Sequence, residues 1–292
     1  MPYLQLIGVG IFFWIIARIE HTELLAALHS VRMPVFLSAF FLQFGIYICK
    51  TLRWHILVSQ TGTKTSLRQS WVLYNIGIFL SIITPAKIGE FGKVAYLQSA
   101  GVSPAKGIIL VLIDRMADII VIALLFLISI MILFGYVWHM LFTSTLLGML
   151  CLVLCLHAPP RVRKILQVTM RYIQQHRDMS TFALLFTIGG WGFYFAWAVL
   201  TARSIGIDVS ALTLTAVFTM TGMLTLLPIA PAGLGTRDAA LITLLAPYGT
   251  EPTQAVALAL LMFASQAFSG IPGLIYWLTS PIKTPANSTQ KG

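Results

Sequence analysis

The apolar runs of this chain are longer and more continuous than a membrane barrel strand can use. Such strands need only about 9–11 residues of alternating polarity. Here apolarity persists over Tyr3–Ile19, Pro34–Cys49, Met140–His157, Thr181–Ala202 and Thr253–Thr279, and from Pro104 to Trp138 with only a few charges. A helix needs about 20 apolar residues to cross a bilayer. The chain is 292 residues long, 58% hydrophobic and 10% charged, with mean hydropathy +0.88. These values place it among all-α polytopic membrane proteins. One integral domain over 1–280 and a short polar tail over 281–292 are expected.

Neither of two further apolar stretches is both long enough and uninterrupted enough to be a comfortable span, and each ends in a broken, charged tip. Trp71–Thr84 stops at Pro85-Ala86-Lys87-Ile88-Gly89-Glu90, with Lys93 close behind. Val209–Leu227 stops at Pro228-Ile229-Ala230-Pro231-Ala232-Gly233-Leu234-Gly235, followed by Thr236-Arg237-Asp238. Proline and glycine break a helix. Irregular backbone at membrane depth survives only inside protein or along a wet cavity. Both stretches read as re-entrant helical hairpins. About six transmembrane helices plus these two hairpins are expected.

The tips share a pattern. Pro85 to Glu90 aligns with Pro231 to Thr236, and Gly101-Val102-Ser103-Pro104 aligns with Gly249-Thr250-Glu251-Pro252. In both copies a proline opens the next helix, a position that suits it, and Ser103 is placed as an N-cap. An odd number of spans between the tips makes the halves, roughly 34–138 and 180–280, an inverted repeat. Gly189, Gly190 and Gly192 read as a helix-packing face.

The net charge of +10 reflects basic links rather than a nucleic-acid surface. Lys50, Arg53, Lys64 and Arg68 fall in or beside one link, and Arg161, Arg163, Lys164, Arg171 and Arg177 in another. Positive-inside counting puts both termini in the cytoplasm. Lys50 and Arg53 are expected to snorkel to headgroups, with Trp54 as an interface anchor. Cys49, Cys151 and Cys155 lack partners for a metal site and read as packing residues. No hydrolase, metalloprotease or phosphate-loop motif is present. A transporter rather than an enzyme is expected, with an intramembrane transferase acting on a lipid phosphate as a further alternative; no metal or cofactor is expected.

Charge at membrane depth is costly and marks function or pairing. The candidate headgroup and cavity residues are Lys87, Gly89, Glu90, Lys93, Asp114, Arg115, Asp118, Pro231, Gly233, Gly235, Arg237 and Asp238. Asp114 and Asp118 share a helix face, Arg115 reaches Asp118 across three residues, and a hairpin lysine suits Asp114. Among the basic groups, Lys87, Arg115 and Arg237 are the stronger functional candidates. Arginine at a broken helix end suits a phosphate.

Arg53-Trp54, Pro85-Ala86-Lys87-Ile88-Gly89-Glu90 with Lys93, Asp114-Arg115 with Asp118, and Pro231-x-Gly233-Leu234-Gly235-x-Arg237-Asp238 occur in this order. Together they resemble the lysylphosphatidylglycerol synthase transmembrane-region family, the flippase-like domain of the multiple peptide resistance factor and its free-standing relatives. Where this chain has Lys93 and Asp238, that family commonly has Arg and Glu. The resemblance implies an inner-membrane protein that binds and translocates a phospholipid or polyprenyl-phosphate-type lipid with an anionic or phosphate-bearing headgroup. The alternative it implies is a non-transporting, lipid-binding subunit of a separate glycosyltransferase or lipid-modifying enzyme. An oligomer is compatible with either.

Overall fold

The computed structural model describes residues 2–63, 65–135, 177–225 and 233–279, with isolated positions between 141 and 174. Side chains of 2–9, 85–87 and 177–180 fall outside the described residues. So do the expected Met140–His157 span, most of the 161–177 link, Pro231 and the tail.

All regular structure among the described residues is helical. The helices are α1 (Pro2–Arg18), α2 (His21–His29), α3 (Met33–Ser59), α4 (Leu67–Ile83), α5 (Gly92–Ser99) and α6 (Pro104–Phe134), then α7 (Arg177–Ser204), α8 (Ala211–Leu224), α9 (Thr236–Leu245) and α10 (Pro252–Thr279). A 3₁₀ segment, Pro85–Phe91, joins α4 to α5. The helices α3, α6 and α10, and Thr181–Ser204 of α7, are long and apolar enough to cross a membrane. By contrast α4 has 17 residues and α8 has 14. At 1.5 Å per residue they reach about 26 and 21 Å, short of a hydrocarbon core of roughly 30 Å. Both are limbs that lead to a tip.

Helix ends follow local chemistry. Ser66 caps α4 by accepting from Gln69 N at 3.2 Å, and Gln69 reaches back to Ser66 N at 2.8 Å. Ser210 caps α8 by accepting from Thr213 N at 3.1 Å. Pro104 opens α6 as expected, but the Ser103 side chain makes no cap. The α6 helix stops at Phe134 rather than Trp138, because Gly135 turns left-handed at φ 67°.

The two halves are equivalent beyond the tips. Gly62 and Gly206 both have φ 80°, and each lies four residues before a serine cap, Ser66 or Ser210. Gly101 and Gly249, at φ 87° and 76°, each precede a helix that starts on proline. Packing is reciprocal: α4 of the first half lies on α10 of the second, and α8 of the second lies on α6 of the first.

The opening helices of the halves, α3 and α7, pack on each other along their lengths. A Cβ at Gly45 would meet the Phe193 ring at 2.6 Å, and one at Gly189 would meet Cys49 Sγ at 3.5 Å. Further along, Arg53 meets Thr187. Numbers rise on α3 as they fall on α7, so the helices are antiparallel. That is the relation an inverted repeat requires. Gly189 and Gly190 serve the expected close packing, against Cys49 and Lys50, whereas Gly192 faces open space.

Candidate functional site

The first tip is locked before any charge is considered. The Thr84 hydroxyl donates to Leu80 O at 2.6 Å and accepts from Gly89 N at 2.7 Å. A Cβ at Gly89 would sit 2.2 Å from Leu80 O, so only glycine allows this fold-back. Trp54, Leu57, Tyr74, Val94, Leu97 and Val111 are among the residues that form one buried cluster around it.

Onto this frame α3, the tip, α5 and α6 bring seven charged side chains. Arg53, fully buried, lies at the centre. Its Nε and Nη2 reach Asp114 Oδ1 at 2.8 and 2.7 Å. Its Nη1 and Nη2 grip Asp118 at 2.8 and 3.1 Å, and Nη1 donates to Thr187 at 3.0 Å. Lys93, equally sealed, contacts Glu90 at 3.3 Å and Asp114 at 3.2 Å. Its ammonium lies 4.2 Å from the Trp54 ring centre and 4.9 Å from that of Tyr74, in cation–π range. Arg115 holds Glu90 at 2.9 Å, Asp118 at 3.2 Å and Asp114 at 3.3 Å. Lys50 reaches Asp118 at 3.0 Å.

Two expectations are corrected here. Arg53 does not snorkel and Trp54 is no interface anchor: both are fully buried. The physical reason is the pair of carboxylates one turn apart on α6, which need more positive charge than Arg115 supplies. Lys50 likewise turns inward to Asp118, with 21% of its side chain exposed. Sequence reasoning missed Lys50, Arg53 and Thr187 as members of this group. The available signal was that two acids at depth outnumbered the single arginine beside them. The expected Arg115–Asp118 contact is present, and the hairpin lysine on Asp114 is Lys93. The Lys87 side chain lies outside the described residues.

Four cations, Lys50, Arg53, Lys93 and Arg115, face three carboxylates, Glu90, Asp114 and Asp118. The surplus is one positive charge. Lys50 and Arg115 form the open edge, with 21% and 18% side-chain exposure. Buried Arg115 Nε has no partner among the described residues.

The second tip is built differently. Gly233 and Gly235 take φ 77° and 78°, left-handed values that disfavour a side chain. Asp238 accepts from Gly235 N at 2.7 Å and so closes the first turn of α9, where a negative charge suits the helix dipole. Its neighbour Arg237 is 5% exposed. Arg237 makes one long bond, Nη1 to Gln266 Oε1 of α10 at 3.3 Å, and its Nε has no partner. No ion pair to Arg237 exists among the described residues. The Asp238 carboxylate, and after it the Tyr194 phenol of α7, lie within electrostatic reach of it, though neither forms an ion pair or hydrogen bond with it.

Both tips, the buried acid pair on α6 and the arginine-acid pair opening α9 thus form one ordered set. That set spans the region matched by a known family pattern, residues 5–273. The chain belongs to the lysylphosphatidylglycerol synthase TM region family. Among curated proteins, none matches the chain. Membership in the lysylphosphatidylglycerol synthase TM region family makes this a membrane domain associated with lipid-related function.

Proposed function

We propose that this protein binds a phosphate-bearing membrane lipid by its headgroup and moves that headgroup across the inner membrane. The lipid is a phospholipid or a polyprenyl-phosphate-type lipid. Both termini are cytoplasmic, and the protein acts as a transporter rather than an enzyme.

The observation that carries this reading is Arg237. A guanidinium that is 5% exposed and holds one long bond to an amide is strongly disfavoured in a low-dielectric interior. A lipid phosphate supplies the missing counter-charge and matches the planar fork. Around it stand the Tyr194 hydroxyl and the Gln266 amide, while the Asp238 carboxylate, within electrostatic reach, is committed to Gly235 N.

Aromatic side chains of α7 link the two sites: Lys50 lies 5.8 Å from the Trp191 ring centre, and Trp191 packs edge-on to Tyr194 at 5.2 Å.

Headgroup translocation tests the reading. Vesicles containing only this protein and a labelled anionic phospholipid are expected to expose label to a membrane-impermeant quencher faster than empty vesicles. Binding without movement would instead support a subunit that presents lipid to a separate lipid-modifying enzyme or glycosyltransferase.

A further inference from the structure

The repeat relates individual contacts between α3 and α7, not only the two helices. Gln43 and Thr187, Gly45 and Gly189, Cys49 and Phe193, and Arg53 and Trp197 share the spacing that relates Gly62 to Gly206 and Ser66 to Ser210. Each contact has its mate. Gly45 lies against Phe193 as Gly189 lies against Cys49. Arg53 Nη1 donates to Thr187 at 3.0 Å, and Trp197 Nε1 donates to the Gln43 amide oxygen at 3.2 Å. The same spacing pairs Lys50 with Tyr194. On the closing helices, counting from Pro104 and Pro252 pairs Asp114 with Met262, Arg115 with Phe263 and Asp118 with Gln266.

The charged residues that α3 and α6 give to the first cluster thus all have neutral counterparts. Tyr194, Trp197 and Phe263 take the places of three cations, and Met262 and Gln266 those of two acids. Into this neutral copy the second tip sends Arg237. It meets α10 at Gln266, the place of Asp118, with Nη1 3.3 Å from Oε1. In the first half the acid at that place holds three cations, Lys50, Arg53 and Arg115. In the second half an amide holds the arginine and brings no charge. A carboxylate there would make a charge-assisted bond, roughly twice as strong, and cancel the charge of the guanidinium. The nearest alternative, Asp238, is turned to Gly235 N.

We infer that Gln266 is the specificity-determining residue of the second site: it steadies the Arg237 fork through a neutral oxygen and leaves the charge to an incoming anion. The inference rests on the headgroup reading above and adds the residue that keeps the site open. The first half displays the opposite choice, in which acids of the protein itself occupy every cation. Glutamate at position 266, equal in length, would make the second site a copy of the first, closed by its own counter-charge.

The test compares Gln266→Glu and Gln266→Met with the wild type, as full chains in mild detergent. Thermal midpoints are read without lipid and over a titration of phosphatidylglycerol, the probe. Gln266→Glu is expected to melt above the wild type without lipid and to bind phosphatidylglycerol at least about tenfold more weakly. Gln266→Met keeps the length without a charge and is expected to keep most of the lipid-induced rise. Stability gained together with binding lost is a combination that a merely structural glutamine does not give. The inference is overturned if lipid-free Gln266→Glu melts at or below the wild type, if it binds phosphatidylglycerol as tightly, or if Gln266→Met loses binding as fully. A wild type that gains nothing from phosphatidylglycerol would count against the headgroup reading instead, and the lipid-free midpoints would then decide the role of Gln266 alone.

Discussion

The two hairpin tips occupy equivalent places in an inverted repeat, yet they handle charge in opposite ways. At the first tip, Glu90 and Lys93 are tied into a network in which every carboxylate meets at least two cations. At the second, the one hydrogen bond of the Arg237 side chain among the described residues is a long bond to Gln266, and Asp238 is spent on capping its own helix. The backbones differ to match. The first tip needs glycine for close approach at Gly89, and the second needs it for left-handed turns at Gly233 and Gly235. Symmetry of fold therefore does not carry over to symmetry of role. The first tip is a fixed abutment, and the second holds a buried arginine with no ion pair among the described residues.

The largest effect should come from removing the central cation. Arg53→Gln strands Asp114 and Asp118 without their main partner. Breaking a buried pair from one side costs about 3–5 kcal/mol. Folded yield and thermal midpoint in detergent should fall sharply. Arg53→Lys should recover only part of the loss, because a point charge cannot serve both carboxylates as the fork does. A variant as stable as the wild type would mean that the network is ornamental.

Backbone substitutions come next and probe the tips directly. Gly89→Ala forces a Cβ into Leu80 O and should cost about 1–3 kcal/mol by overpacking. Gly235→Ala meets a left-handed φ instead and should cost about 1–2 kcal/mol. Chemical-denaturation midpoints in detergent check the order. Reversal of that order would show that the first tip yields more easily than the second.

Lys50→Gln should matter least for stability within the first cluster. Its side chain is partly exposed and Asp118 keeps Arg53 and Arg115, so the change should stay within about 1 kcal/mol. A loss as large as that of Arg53→Gln would place Lys50 at the centre of the lock.

Much of this was legible in the sequence. Pro85, Pro231, Pro104 and Pro252 marked corresponding breaks, whereas run length alone did not separate limbs from spans: Val209–Leu227 is longer in sequence than Pro34–Cys49, and only in the structure does it shorten to the 14 residues of α8. The matched Gly62–Ser66 and Gly206–Ser210 turns were equally readable once the repeat was aligned. What stayed hidden was the fate of the basic end of α3. A lysine and an arginine one turn apart beside a tryptophan read the same whether they snorkel outward or fold inward. Only the position of Asp114 and Asp118 across the helix interface decides it. The lone state of Arg237 was also out of reach, because its neighbour Asp238 offers a ready partner on paper. A cap is made instead, by a three-residue reach to Gly235 N that competes with the ion pair.

The contrast between the tips reduces to one measurement on Arg237→Gln: thermal stability in detergent, without and with a phosphate-bearing lipid. Ligand in hundredfold excess over its Kd should stabilise the wild type by about 2.7 kcal/mol. Asp238 keeps its bond to Gly235 N in the variant, so without lipid its midpoint should stay close to that of the wild type, and added lipid should no longer raise it. An Arg237→Gln protein that unfolds without lipid, or that lipid still stabilises as fully as the wild type, would make this arginine structural and contradict the account.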